Sequence, residues 1–145
     1  MATLLLIVRL AGERVAFPAA EVEAVVEIDF IVPAPGAPPH VAGLAALRSR
    51  VLTVIDCPAA LGLDAGEAPR RDAVVAVVDG HPYALLVEAV EDVIEADAEP
   101  VPLPVRTAAL WRRAAKAMVP AGGELLLLVD VGALIAGCAD AAAAA

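Results

Sequence analysis

The sequence predicts a mainly β protein built as two small five-stranded barrels with short helices. Three observations lead to this fold class: an internal duplication, short apolar segments, and frequent turns rich in glycine and proline. Many short strands separated by such turns are typical of small barrels, and closing a sheet into a barrel removes the free edges that apolar strands would otherwise expose.

The duplication is the most informative of the three. Residues 12–29 recur as residues 80–97, and residues 51–56 recur as residues 125–130. The matched positions are glycines, valines and acids: Gly12 with Gly80, Val22 with Val90, Val25 with Val93, and Asp29 with Asp97. Because the chain holds only two copies, it is not a solenoid, and we expect two similar subdomains that share a buried seam.

The first copy begins with a hairpin around Gly12, and Pro18 suits the first position of a helical turn. The prolines of residues 33–39 exclude a helix or a central strand there. The expected order is strands at 4–10 and 14–17, a helical turn at 19–24, an extended segment at 25–31, a loop at 33–39, a helical turn at 40–47, a strand at 51–56 and a turn at 59–63.

The second copy repeats this order with one expected difference, a longer helix. Residues 107–118 contain good helix formers and predict a helix of several turns. The remaining elements are strands at 73–78 and 83–87 around Gly80, an extended segment at 93–96, a buried strand at 125–130 and a short helix at 132–136.

Length and composition limit the protein class. At 145 residues the chain predicts one domain, residues 1–140, with subdomains at about 10–70 and 71–140 and a disordered tail at 141–145. The net charge of −9 argues against nucleic-acid binding. Because we find neither a secretory signal nor an apolar run of membrane-spanning length, we expect a cytoplasmic protein with Cys57 and Cys138 as reduced, buried thiols.

Catalytic chemistry is not indicated, and we expect no enzyme activity, no cofactor and no metal. His40 and His81 lie in predicted turns and are expected to face solvent, without a serine or cysteine nucleophile in a recognisable arrangement. The acidic run at 88–99 lacks the ligand spacing of a calcium loop, so it predicts a solvated face. A basic cluster (Arg106, Arg112, Arg113 and Lys116) is interpreted as solvated or as serving protein partners.

One segment favours a functional role. Arg48 and Arg50 directly precede an apolar strand, at the expected rim of a barrel. Two interpretations of Arg48 stay open: it braces the turn by pairing with a carboxylate, or it points into a partner. In the second copy the matching residues are Gly122, Gly123 and Glu124, so the repeated fold does not itself require the arginines.

At this segment the chain resembles the CheW-like domain family, the adaptors of bacterial chemotaxis. The motif is a glycine, a Leu-Arg-Gly turn, an apolar strand, an aspartate and a closing Leu-Gly. It is present as Gly43, Leu47-Arg48-Ser49, residues 51–55, Asp56 and Leu61-Gly62, with Ser49 in place of the motif's last glycine. The resemblance extends over nearly the whole chain.

The resemblance implies two intertwined SH3-like five-stranded barrels, an arrangement that allows strands to be exchanged between the subdomains. It also implies a non-enzymatic adaptor with two protein partners: the regulatory domain of a CheA-type histidine kinase and the cytoplasmic tip of a chemoreceptor. The implied receptor-facing residues are Arg48, Ser49, Val22 and Val25, with Gly43 on a turn that a partner helix approaches. The alternative is a small-molecule-binding or sensory β-barrel that uses the seam as its pocket.

Overall fold

The computed structural model describes residues 3–63 and 72–137. Within them the chain forms ten strands, one 3₁₀ turn and three short helices. The strands are β1 (Leu4–Leu10), β2 (Glu13–Pro18), β3 (Ala24–Glu27), β4 (Val41–Leu47), β5 (Arg50–Asp56), β6 (Asp72–Val78), β7 (His81–Leu86), β8 (Ala89–Glu95), β9 (Ala115–Ala121) and β10 (Glu124–Val129). The 3₁₀ turn is Ala19–Glu21, and the helices are α1 (Cys57–Ala60), α2 (Ala109–Ala114) and α3 (Val131–Ala136).

Two five-stranded sheets contain these strands, and each sheet mixes the two copies of the duplication. One sheet has the order β8-β1-β2-β10-β9 and is called the terminal barrel here; the other has the order β3-β6-β7-β5-β4 and is called the middle barrel. Strands β1 to β5 correspond in order to β6 to β10. Each copy therefore donates its first hairpin to the sheet of the other copy, and the predicted mainly β, duplicated and intertwined fold is confirmed.

Parallel pairings hold the donated hairpins in place. In the terminal barrel β2 runs parallel to β10, with Val15 opposite Leu127. In the middle barrel β7 runs parallel to β5, from Thr53 opposite Tyr83 to Asp56 opposite Leu86. Since the other named strand pairs are antiparallel, these two junctions mark where one copy is inserted into the other.

Short bridges bring the outer strands of each sheet together. The backbone of Val32 exchanges two hydrogen bonds of 2.8 Å with Leu44, which links the segment after β3 to β4. Val101 and Met118 make the equivalent pair of 2.8 Å bonds in the terminal barrel, between the segment after β8 and β9. Both sheets are thereby closed into barrels, and the exposed strand edges are shortened.

Equivalent aspartates begin the helices that follow the last strand of each copy. The Asp56 carboxylate accepts a hydrogen bond from the Ala59 amide at 3.2 Å, and the Asp130 carboxylate accepts one from Ala133 at 3.2 Å. Each aspartate satisfies an amide that the first helical turn leaves without a partner. The matched aspartates Asp56 and Asp130 are therefore helix caps.

A central cluster of buried side chains fills the seam between the barrels. Its members come from both barrels and all three helices, and they include Leu6, Val8, Phe17, Ile55, Leu85, Trp111 and Leu134. Two smaller clusters belong to the individual barrels, one around Leu52 and Val75 and the other around Leu5 and Leu126. Burying each large apolar side chain contributes about 1.5–3 kcal/mol, so the seam joins the two barrels into one core.

Two helix predictions are wrong. The helical turn expected at 40–47 is replaced by strand β4 at Val41–Leu47, and the helix expected at 107–118 is only α2, followed directly by β9. Both segments are rich in alanine, whose local preference is helical. Pairing with β5 and with β10 overrides that preference, because these segments complete the outer strands of the two barrels.

Some predictions concern residues that the structure does not describe. The predicted subdomain boundary falls in the linker at 64–71, which lies outside the described residues. Cys138 and the tail at 141–145 also lie outside them. Cys57 is fully buried. Among the helices that the structure does describe, none combines the length and the apolar character needed to cross a bilayer.

Candidate functional site

The arginine segment forms the tip of the hairpin between β4 and β5. Leu47 pairs with Arg50, which leaves Arg48 and Ser49 as a two-residue turn. Their φ angles are 48° and 70°, the left-handed values that a type I′ hairpin turn requires at both central positions. Both side chains are exposed, so the turn presents a cation and a hydroxyl to solvent.

The brace at this turn is Arg50. Its guanidinium forms an ion pair with the Glu23 carboxylate, just before β3. Arg48 makes no ion pair or side-chain hydrogen bond with any residue in 3–63 or 72–137. Of the two interpretations of Arg48, bracing is therefore performed by its neighbour, and the Arg48 charge remains available.

The ion pair also links the turn to the segment that carries the apolar candidates. Glu23 directly follows Val22, and Val25 lies two residues further on in β3. Val25 is 45% exposed, whereas Val22 is half-buried against the central cluster. We call Val25, Arg48 and Ser49 the hairpin-tip face, and Val22 lies outside it because its side chain packs against the central cluster. The hairpin-tip face combines an exposed valine with a cation that has no described partner.

Gly43 does not belong to this face. It lies within strand β4, is buried, and has a φ of 150°. A Cβ atom at this position would lie 2.1 Å from the Val32 carbonyl oxygen. The expected turn at Gly43 is wrong, and the close approach that requires glycine is made by the chain's own barrel-closing segment.

A second exposed surface was not identified from the sequence. Leu44 and Ala46 point outward from β4, Val51 lies opposite Ala46 on β5, and Val32 lies opposite Leu44. Phe30 is 75% exposed and Val51 is 63% exposed. We call these five residues the β4–β5 apolar surface. Outward apolar residues alternate along β4, and this pattern can be recognised only once β4 is known to be a strand.

The two histidines occupy different environments. His81 begins β7 and is exposed. The expectation that His40 faces solvent is wrong, because it is only 4% exposed and its Nε2 lies 2.8 Å from the Ile135 carbonyl oxygen. A Cβ at Gly137 would lie 2.6–2.9 Å from the His40 ring. His40 therefore packs the loop before β4 against the end of α3, and glycine is required beside it.

Part of the acidic run is engaged in ion pairs on the terminal barrel. Glu91 of β8 accepts hydrogen bonds from Arg14 at 2.7 Å and from Arg9 at 3.2 Å, and Arg14 also pairs with Glu124 of β10. The hydrogen bond from Arg14 lowers the pKa of Glu91, and the two carboxylates raise the pKa of Arg14. Within the described residues, no three His, Cys, Asp or Glu side chains are grouped so as to hold a metal.

The sequence is similar to known proteins of one family. Residues 4–138 match the sequence model of the CheW-like domain. A chemotaxis protein CheW of Rhizobium meliloti is 34% identical over 101 residues, which cover 68% of this chain and 65% of that protein, slightly less than two thirds of its length.

The fold also matches a solved structure. The scaffolding protein TtCheW of Thermoanaerobacter tengcongensis superposes with a TM-score of 0.77 at 22% identity, covering 90% of this chain and 86% of that one. At this identity the likeness establishes the fold, two SH3-like barrels. Because the sequence match spans nearly the whole chain and the fold agrees with it, this chain belongs to the CheW-like domain family.

Proposed function

We propose that this chain is a non-enzymatic, cytoplasmic adaptor that couples chemoreceptors to a CheA-type histidine kinase through two protein-binding surfaces. The observation that carries the proposal is that the middle barrel exposes two surfaces of different chemistry, the hairpin-tip face and the β4–β5 apolar surface. An adaptor needs two such surfaces, because it must bind its partners at the same time.

The hairpin-tip face is proposed to bind the receptor tip. Arg48 has no ion pair among the described residues, so a partner carboxylate can form an ion pair with it without breaking an internal contact. Val25, which is exposed and lies two residues beyond the Glu23 that pairs with Arg50, is proposed as the apolar anchor. An arginine next to an apolar anchor is a common arrangement at the energetic centre of protein interfaces.

The β4–β5 apolar surface is proposed to bind the regulatory domain of the kinase. Contiguous exposed apolar residues on a monomer mark an interaction site, and here they come from adjacent strands and the bridging segment. With aromatics at 3% of the chain, the anchors are mostly aliphatic. We therefore expect moderate affinity for each partner, strengthened when several contacts act together in an array.

The alternative of a sensory barrel with a pocket at the seam receives little support. The seam is filled by large side chains of the central cluster, and Phe17, Ile55, Leu85 and Leu134 are fully buried there. A ligand placed among them would have to displace packed core residues.

The receptor contact is tested by titrating a soluble receptor-tip helical hairpin against the full chain. We expect Arg48→Ala and Val25→Ser each to weaken binding by about tenfold, the effect of losing one anchor worth about 1.4 kcal/mol. Matched controls are Arg113→Ala, another exposed arginine, and Val77→Ser, whose 44% exposure is close to the 45% of Val25. Thermal stability of Arg48→Ala should be unchanged.

The kinase contact is tested in parallel with the isolated regulatory domain. We expect Leu44→Glu and Val51→Glu to abolish binding of this domain while leaving the receptor hairpin bound. If wild-type protein binds neither partner at tens of micromolar, the adaptor function is wrong. If each substitution weakens both partners equally, the assignment of the two surfaces is wrong although the adaptor function stands.

A further inference from the structure

A groove on the terminal barrel shares no lining residue with either proposed protein-binding surface. It has a volume of about 410 Å³, within the range of small-molecule sites. Its floor is apolar and is formed by Met118 of β9 and by Leu125 and Leu127 of β10. These three side chains share one face of the sheet, because Leu127 lies directly opposite Met118.

The wall of the groove is a turn with a fixed backbone. Thr107 donates hydrogen bonds from its hydroxyl and its amide to the Pro104 carbonyl, at 2.7 and 3.1 Å. Arg112 donates to the carbonyl oxygens of Val105 and Thr107, at 2.7 and 3.1 Å. Trp111 of α2 completes the wall. The turn that carries Arg106 is therefore held in place before any ligand arrives.

Charge distinguishes this groove from two smaller ones, the smaller of which overlaps the β4–β5 apolar surface. A 310 Å³ groove is lined by Asp97 and Glu99, and a 280 Å³ groove by Glu27 and Asp29. The larger groove carries two arginines instead. Arg14 is engaged by Glu91 and Glu124, whereas Arg106 is exposed and has no ion pair within the described part of the chain.

We propose that this groove binds a small amphiphilic anion, an aryl or alkyl group that carries one carboxylate or sulfonate. The apolar group lies on Met118, Leu125 and Leu127, and the anion pairs with Arg106. Glu13 also lines the groove, and its negative charge opposes the anion. The site is independent of the proposed adaptor contacts and would give the protein a ligand of its own.

The test uses the full chain and two fluorescent probes of similar shape, anilinonaphthalene sulfonate, which is anionic, and N-phenylnaphthylamine, which is neutral. We expect saturable binding of the anionic probe. Arg106→Gln should weaken it by about tenfold, the loss of one charge-assisted hydrogen bond, and Glu13→Gln should strengthen it. The affinity of the neutral probe should not change in either variant.

Location is tested by nuclear magnetic resonance and by two apolar variants. The single tryptophan gives one indole signal and Met118 one of two methionine methyl signals, and we expect both to shift on titration. Leu125→Asp should remove binding of both probes, whereas Phe30→Ser, on the β4–β5 apolar surface, should change neither. Near-ultraviolet circular dichroism checks that each variant is folded.

Three results would overturn the proposal. The first is the absence of saturable binding of the anionic probe to wild-type protein. The second is an equal effect of Arg106→Gln on both probes, since the arginine would then not recognise charge. The third is that Phe30→Ser abolishes binding while Leu125→Asp does not, which would place the probes on a protein-docking surface.

Discussion

Backbone strain at one residue distinguishes the proposed receptor-facing turn from the other hairpins. The two-residue turns at Ala11-Gly12, Asp79-Gly80 and Gly122-Gly123 each contain glycine, and all have positive φ. The Arg48-Ser49 turn has the same left-handed backbone without a glycine. Ser49 therefore accepts a backbone conformation that costs an L-residue about 1–2 kcal/mol.

Replacing this residue is expected to stabilise the protein. Glycine removes the left-handed strain of Ser49 but adds about 0.5–1 kcal/mol of unfolded-state entropy. Ser49→Gly should therefore raise the free energy of unfolding by about 0.5–1 kcal/mol, measured by urea denaturation. The reverse change at the equivalent turn, Gly123→Ser, should lower it by a similar amount, since open space surrounds that position. Unchanged midpoints for both variants would show that these turns relax without strain.

His40 and Gly43 show what residue-level interpretation misses. Both lie in a segment whose local sequence suggests an exposed helical turn. The histidine is buried because α3 packs over it. The glycine is required because the Val32 carbonyl lies where a Cβ atom would be. Neither neighbour is close in sequence, so no local pattern predicts them.

At the scale of elements, a chain of ion pairs ties four neighbouring strands of the terminal barrel. It runs through Arg9 of β1, Arg14 of β2, Glu91 of β8 and Glu124 of β10. The duplication explains its form. Glu23 and Arg50 pair directly in the middle barrel, but the residue equivalent to Arg50 is Glu124, so Arg14 is needed between two carboxylates.

Acid should weaken this arrangement. Because Arg14 lowers the pKa of Glu91 in the folded protein, the folded state binds a proton at this carboxylate less readily than the unfolded state. The resulting stabilisation is present above about pH 4.3, the ordinary glutamate pKa, and is lost as pH falls through the lower folded value.

The measurement is the melting temperature of wild-type protein and Glu91→Gln between neutral and acid pH. Wild type should melt higher at pH 7, and the difference should shrink below about pH 4.3 as Glu91 becomes protonated. Glu95→Gln is the control, an exposed glutamate on the same strand with no ion pair among the described residues. A difference that stays constant with pH would mean that the charge of Glu91 does not contribute.

The alanine-rich outer strands belong to the same scale. Residues 41–47 and 115–121 resemble helical segments in composition, yet both are strands. Each strand is hydrogen-bonded on both sides, to a neighbouring strand and to a bridging segment. These hydrogen bonds outweigh a helix preference of roughly a few tenths of a kcal/mol per residue. The β4–β5 apolar surface exists only because of this outcome.

At the scale of the whole molecule, strand exchange makes the two barrels interdependent. The middle barrel is a continuous stretch from β3 to β7, but the terminal barrel needs both ends of the described chain. The central cluster then joins them, with Leu85 of the middle barrel and Trp111 beside the terminal barrel in one buried group.

A single unfolding transition is therefore expected. Leu85→Ala should lower the free energy of unfolding by about 2–5 kcal/mol, the usual cost of a large cavity in a core. The transition reported by Trp111 fluorescence should move together with the one reported by far-ultraviolet circular dichroism. Two separate transitions, or an unmoved Trp111 midpoint, would show that the barrels unfold independently.

The sequence by itself determined the duplication, most of the strands, the glycine hairpins and the CheW-like motif with Arg48 at an exposed turn. These are local features, set by strand periodicity, turn residues and the spacing of matched segments.

Only the tertiary structure decided which strands are neighbours, because the donated hairpins pair in parallel with strands far away in sequence. It also decided that Arg50 braces the turn while Arg48 stays available, that His40 is buried, and that an anion-compatible groove forms beside β10. Each of these depends on contacts between segments that the fold, and not the local sequence, brings together.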